Sequence, residues 1–404
     1  MLRQEEISEV IDSQQEYFLA KDPGLVREKL SEIPVLANYA TIITGLRRCG
    51  KSTLLLQLMK QQFQKAVYLN FEDIRLIGFE PSDFSRLYAE LKHRALQVVF
   101  FDEIQLVEKW EIFVNQLLRE GFFVFVTGSN ATLLSKEFGT HLTGRQLSME
   151  LFPFSYQEFV SYMSTDLSAE SLGQYLRFGG IPEFVKSRNE LVITSLLDDI
   201  LVKDIAVRHG IRDVASLKQL ALYLLSNLGV PTSANRLIGM FGIKSAATIL
   251  DFFSFFQDAY LMDFVPQFSY SLKAQNRNPK KVYAMDLGIV TAISPSFSEN
   301  LGRKLENLIY LHLRRHFTSI HYFNDKGECD FVVSQKGKVT HAIQVCYHIS
   351  DENFAREYAG LIQAMDFFNL DYGIIVTENQ RDRFEEKGKV IELVPAFEYL
   401  SKPI

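Results

Sequence analysis

Residues 40–52 read ATIITGLRRCGKS: a short apolar run, then a Gly-x-x-x-x-Gly-Lys-Ser loop, then the start of an apolar helical pattern. No other stretch restricts the fold as much. Such a loop works only where a buried strand delivers the chain to the N-terminus of a helix, whose unpaired N–H groups and dipole attract an anion. Gly45 and Gly50 let the backbone curl, so that the N–H groups from Leu46, Arg47, Arg48 and Cys49 through Lys51, Ser52 and Thr53 point toward bound phosphates. Lys51 can reach the β- and γ-phosphates, and the Ser52 hydroxyl can ligate Mg²⁺. The expected cofactors are therefore ATP and Mg²⁺, although such a loop reads phosphate and leaves the choice between ATP and GTP open.

The surrounding pattern predicts an α/β fold. AVYLNF (66–71), VVFFDE (98–103) and FFVFVTGSN (122–130) are further strand candidates separated by helical stretches. Strands alternating with helices imply a parallel sheet covered on both faces. Residues 5–30 read as one or two amphipathic helices. VVFFDE ends in two acids. Asp102 can hold a carboxylate against the Mg²⁺ shell, and Glu103 can orient or deprotonate the attacking water. Ser129 or Asn130, at the end of the next strand, can sense the γ-phosphate or the water. Arg145 in HLTGRQL (141–147) is a candidate arginine finger, acting on its own or a neighbouring subunit's nucleotide, and Arg177 is a weaker one.

TGLRRCGKSTLL, NFED, FFDEIQ, TGSNATLL, LTGR, LFPFSYQEF and GGIPEF occur in this order along the chain. In that order they resemble a large group of bacterial and archaeal AAA-like ATPases that pair an N-terminal ATPase core with a C-terminal domain of uncharacterised function. The resemblance covers nearly the whole chain and implies an ATP-binding protein. It strengthens the reading of Arg145, because a Gly-Arg pair recurs there in the group, but it supplies no substrate.

The expected organisation is an AAA-like P-loop ATPase domain over 1–160, a helical region with a winged-helix-like unit over 161–285, and an α/β nuclease-like domain over 286–404. The middle region reads as SLKQLALYLLSNLG, PTSANRLIGMFGI and a third helix over 244–261, with the polar stretch 269–280 as an exposed wing. The stretch that carries it, KSAATILDFFSFFQDAYLMDF, has one lysine, three aspartates and many aromatics, so it reads as a core or protein-contact helix rather than a base-reading one. In the last hundred residues, helices at 303–316 and 354–368 and strands at 320–323, 329–334, 341–347 and 373–377 are expected. Glu306 on a helix and Asp330 in ECDFVV are ordered as in restriction-endonuclease-like nucleases, where a helical Glu, a strand Asp and a Glu-x-Lys strand bind Mg²⁺. Here the last pair reads Gln344 and Cys346. That loss points to a degenerate site. His348 or Lys338 could in principle substitute for the missing lysine, but nothing in the sequence supports either.

Hydrophobic residues form 47% of the 404 and the formal net charge is −6, so a folded chain is expected and general attraction to nucleic acid is not. The three cysteines, Cys49, Cys329 and Cys346, have no metal-ligand spacing. No secretory leader and no membrane span is read, so the cytoplasm is expected. The function expected is Mg²⁺-dependent ATP hydrolysis coupled to movement of the C-terminal domains, with nuclease activity not expected. Two alternatives are an ATP-dependent nucleic-acid-processing factor that binds DNA or RNA, and a nucleotide-binding switch that signals to a protein partner with negligible turnover. A finger acting in trans would require a homo-oligomer.

Overall fold

The computed structural model describes residues 2–131, 144–293 and 301–402. The end of TGSNATLL and the start of LTGR fall at 132–143, outside the described residues. The chain divides into two compact units, residues 1–152 with 258–260 and residues 153–257 with 261–404.

The first unit is an α/β layer structure. Strands β1 (Ala40–Thr44), β2 (Val67–Asn70), β3 (Val98–Asp102), β4 (Phe123–Gly128) and β5 (Gln146–Glu150) form one sheet in the order β2-β3-β4-β1-β5. Every neighbouring pair is parallel. All five residues of β1 are buried, as expected of a central strand covered on both faces. Helices α1 (Gln4–Ala20), α2 (Lys51–Gln62), α3 (Phe84–Arg94) and α4 (Trp110–Arg119) flank the sheet. The buried stripe of α1, Ile7, Val10, Ile11, Gln14 and Phe18, has helical spacing. Its aliphatic part joins Leu87, Leu91, Val99, Phe101, Trp110 and Val114 in one core. β5 has no counterpart among the strands expected from the sequence. It is an edge strand with no fully buried residue, so it lacks the apolar run that marks its neighbours.

In the second unit, helices Tyr156–Met163, Ala169–Phe178, Pro182–Ser187 and Glu190–Asp199 lead to Val214–Ser226, the short Ala234–Leu237, and α5 (Ala246–Asp258). Strands β6 (Met262–Pro266) and β7 (Lys280–Ala284) pair antiparallel. The middle helix of the expected trio is only four residues long. Gly239, Phe241 and Gly242 have positive φ (85°, 55° and 77°) and cannot continue it. The third helix stops at Asp258, before Tyr260 at φ 54°, three residues short of its expected end, and β6 follows. The expected wing contains a short helix, Leu272–Arg277.

Helix α6 (Leu301–His316) leads into β8 (Ile320–Asn324), β9 (Glu328–Gln335) and β10 (Lys338–Val345). Helix α7 (Phe354–Phe368) follows, then β11 (Tyr372–Thr377), β12 (Asp382–Glu386) and β13 (Lys389–Pro395). The six strands form a mixed sheet in the order β12-β13-β11-β10-β9-β8. β10, β11 and β13 are parallel neighbours, and the remaining pairs are antiparallel. β12 and β13 were not expected, because DRFEE and the alternating KVIELVP lack a continuous apolar run.

Candidate functional site

The loop Gly45–Ser52 stands at the C-terminal end of β1 and opens α2. Gly45 and Gly50 adopt φ of 148° and 104°, in the region that favours glycine. A Cβ on Gly45 would lie 2.1 Å from the Leu151 carbonyl oxygen, so no larger residue fits. Lys51 is buried. Its ammonium donates to the carbonyls of Gly45 and Leu46, each at 3.0 Å, which holds it inside the curl of the loop. Arg47 pairs with Glu72 at 3.4 Å, while Arg48 and Ser52 are exposed and Thr53 is half-buried. The Cys49 thiol is buried and donates to the Leu151 carbonyl at 3.3 Å, so it packs the underside of the loop.

β4 lies between β1 and β3, so the C-terminal ends of all three strands come together. Asp102 ends β3, and its carboxylate accepts hydrogen bonds from Tyr68 at 2.9 Å and from Thr127. Glu103 follows in the left-handed region, φ 56°, a rare conformation for a residue with a side chain. Gln105 donates to its carboxylate. Burial raises the Glu103 pKa to about 7. Asp102 adds to the shift, and Lys51 opposes it. Ser129 and Asn130, both buried, follow β4. Lys51, Asp102, Glu103, Ser129 and Asn130 are thus carried to one end of one sheet. The donor set of the Ser52 hydroxyl and the Asp102 carboxylate is all oxygen and fits a hard divalent ion such as Mg²⁺.

Arg145 is not brought to this end. Gln146 pairs with Ala40, at the opposite end of β1 from the loop, and the Arg145 carbonyl accepts from the Ala40 amide at 3.1 Å. Four strand steps, about 13 Å, separate that position from Thr44. The register thus sets Arg145 apart from the phosphate loop of its own chain. Arg177 belongs to the second unit, near the C-terminus of helix Ala169–Phe178, with its guanidinium beside the Phe178 ring.

Sequence reasoning missed Arg27. It is 4% exposed and donates to the Cys49 carbonyl at 2.8 Å and the Phe152 carbonyl at 2.7 Å. It ties the back of the phosphate loop to the segment after β5. Gln57 of α2 accepts from the Arg27 amide and donates to the carbonyls of Pro23 and Leu25, which straps residues 23–27 along α2. No spacing in the sequence marks this arginine.

The second unit has its own polar cluster. Glu306 of α6 and Asp330 of β9 do meet, and Lys281 of β7 joins them. Its ammonium lies 3.1 Å from Glu306 Oε1, 2.8 Å from Asp330 Oδ1 and 2.7 Å from Glu328 Oε1. Burial works against that charge, but Asp330, Glu306 and Glu328 outweigh it and hold Lys281 well above the usual lysine range. Tyr283 donates to Glu306 at 2.7 Å, and the Val345 amide donates to Asp330 Oδ2 at 3.0 Å. Gln344 accepts from the Asp330 amide at 3.1 Å and donates to Glu357 at 2.6 Å, a donation a glutamate there would make only if protonated. Cys346 follows β10, its thiol donating to the His348 carbonyl at 3.3 Å. Lys338 starts β10, about 20 Å along the strand from Gln344. The lysine of this cluster is thus Lys281 and not Lys338. It comes from the adjoining hairpin.

A family model described as an AAA domain matches residues 37–160, and one described as a domain of unknown function (DUF8612) matches residues 169–300. An uncharacterised protein of Methanocaldococcus jannaschii is 33% identical, over 94% of this chain and 92% of its own. An uncharacterised protein of Haemophilus influenzae is 28% identical, over 90% and 94%. Among solved structures, a signal transduction ATPase with numerous domains from Pyrococcus horikoshii aligns with 74% of this chain and 47% of its own. Its identity is 14% and its TM-score 0.27, too low to bear on function.

Proposed function

The chain belongs to the family of AAA-domain P-loop ATPases with a domain of unknown function, and from that premise we propose that it binds ATP with Mg²⁺ and hydrolyses it. The observation that carries this reading is the placement of Glu103. It follows the buried Asp102, shares an end of the sheet with the loop that holds Lys51, and has a pKa near neutrality. A carboxylate with that pKa is a competent base for a water at pH 7. In this reading the Gly45–Thr53 loop and Lys51 hold the phosphates. Ser52 and Asp102 hold Mg²⁺, which would neutralise charge on the phosphates. Glu103 takes the water's proton, and Ser129 or Asn130 contacts the γ-phosphate or that water. Arg145, exposed at the far end of the sheet, serves only the nucleotide of a neighbouring copy.

The test is steady-state ATP turnover with Mg²⁺, run with and without DNA and RNA, beside Lys51→Ala and Glu103→Gln. Turnover that vanishes in both variants supports the reading. Turnover no greater than theirs overturns hydrolysis and leaves a nucleotide-binding switch. Stimulation by nucleic acid would assign the energy to a nucleic-acid task, and indifference would direct the search to a protein partner. The nucleotide state is read as shifting the second unit. Hydrogen exchange in residues 153–257 and 261–404 of Glu103→Gln, unchanged between ATP and no nucleotide, would refute that coupling.

A further inference from the structure

The cluster around Lys281 lies outside the proposed ATPase reading and has a specific electrostatic construction. Glu306, Asp330 and Glu328 line a cleft of about 470 Å³, together with Gln344, Arg356 and Glu357. Glu328 is 44% exposed, so water already screens its charge, whereas Glu306 and Asp330 are largely buried. Two buried carboxylates so close need a cation or a shared proton between them. The structure supplies a cation from its own chain. Lys281 is 2% exposed, and its backbone pairs with Val265 across the β6–β7 hairpin, which delivers the side chain into the cluster. The facing oxygens are engaged: Asp330 Oδ1 and Glu306 Oε1 by the ammonium, Asp330 Oδ2 by the Val345 amide. Arg356 neutralises Glu357, the remaining acid of the cleft wall. Among the described residues, no group of three or more His, Cys, Asp or Glu side chains is placed to hold a metal ion.

We propose that the Lys281 ammonium is the resident cation of this cleft, standing between Glu306 and Asp330 where a divalent metal would otherwise sit and closing them to one. An internal ammonium satisfies the pair at no cost in metal affinity and at any metal concentration. It also couples the hairpin that carries it to the sheet that carries Asp330. The cleft is thereby a metal-independent clasp within the second unit.

The experiment uses the full chain without nucleotide and Mn²⁺ as the probe, followed by electron paramagnetic resonance and thermal unfolding. The wild type is expected to show no saturable Mn²⁺ site that Asp330→Asn removes. Lys281→Gln, close in size and uncharged, is expected to unfold several degrees lower, to gain one Mn²⁺ site, and to recover most of the lost stability in millimolar Mn²⁺. Lys281→Arg keeps the charge and is expected to gain no site. Saturable Mn²⁺ binding in the wild type that disappears in Asp330→Asn overturns the proposal, and that arm needs no Lys281 variant to fold. So does a folded Lys281→Gln that gains no Mn²⁺ site.

Discussion

At the scale of single residues, the two clusters use lysine in opposite ways. Among the described residues, the Lys51 ammonium donates to backbone carbonyls, which are neutral acceptors that a triphosphate can outbid. Lys281 is held by carboxylates, which nothing neutral can replace. Glu103 carries the clearest pH prediction. Its folded pKa is raised to about 7, so at pH 6 it is mostly protonated and cannot accept a proton. ATP turnover should rise through pH 7 and level off above pH 8, and Glu103→Gln should lower the plateau by about 100-fold or more. A flat profile between pH 6 and 8 would remove Glu103 from the role of base. Arg27 offers a second prediction. Arg27→Ala strips two buried carbonyls of a charged donor, at a cost of about 2 kcal/mol. Nucleotide affinity, measured by calorimetry, should fall about 10-fold, whereas an unaltered affinity would reduce Arg27 to a packing role.

At the scale of elements, the GGIPEF segment has a structural explanation. The Gly180 amide donates to Asp286 at 2.7 Å, and its carbonyl accepts from the Phe154 amide at 2.7 Å. A Cβ on Gly180 would lie 2.3 Å from the Phe154 carbonyl oxygen. LFPF and GGIPEF are therefore two sides of one tight backbone contact, closed by the Asp286 carboxylate after β7. Gly180→Ala should cost about 3 kcal/mol in chemical denaturation, because the clash is with backbone that has little room to yield. A loss below about 0.5 kcal/mol would show that the segment relaxes freely. The elements legible in the sequence were those with strong periodicity or continuous apolar runs: β1 to β4, β8 to β11, α1, α2, α6 and α7. β5, β12 and β13 were not legible. Their burial is partial and comes from partners elsewhere in the chain, so their own residues show no run. The second helix of the middle trio failed for a local reason, the positive φ at Gly239, Phe241 and Gly242, which apolar spacing does not register.

At the scale of the whole molecule, two compact units imply two cooperative cores, one around the parallel sheet and one around the mixed sheet. Calorimetry should resolve two transitions, and Mg²⁺ with ATP should shift chiefly the one that belongs to the first unit. The stabilisation should be about 2.7 kcal/mol at a ligand concentration one hundred times Kd. Lys281→Gln should lower only the other. A single transition that both perturbations move together would show that the units unfold as one.

The chain's own order determined everything that one short stretch can encode. The phosphate loop, its lysine and serine, and the Asp102–Glu103 pair at a strand end are each contiguous, so their geometry follows from the strand, turn or helix that carries them. Tertiary structure alone decided the rest. Arg27 reaches Phe152 across 125 positions, Gly180 meets Asp286 across 106, and Lys281 enters the Asp330 cluster across 49. The same holds for Arg145, whose motif suggested a finger but whose strand register puts it at the wrong end of its own sheet. Contacts of that range depend on strand order and register, which arise from the burial of many residues together. No spacing within a segment encodes them.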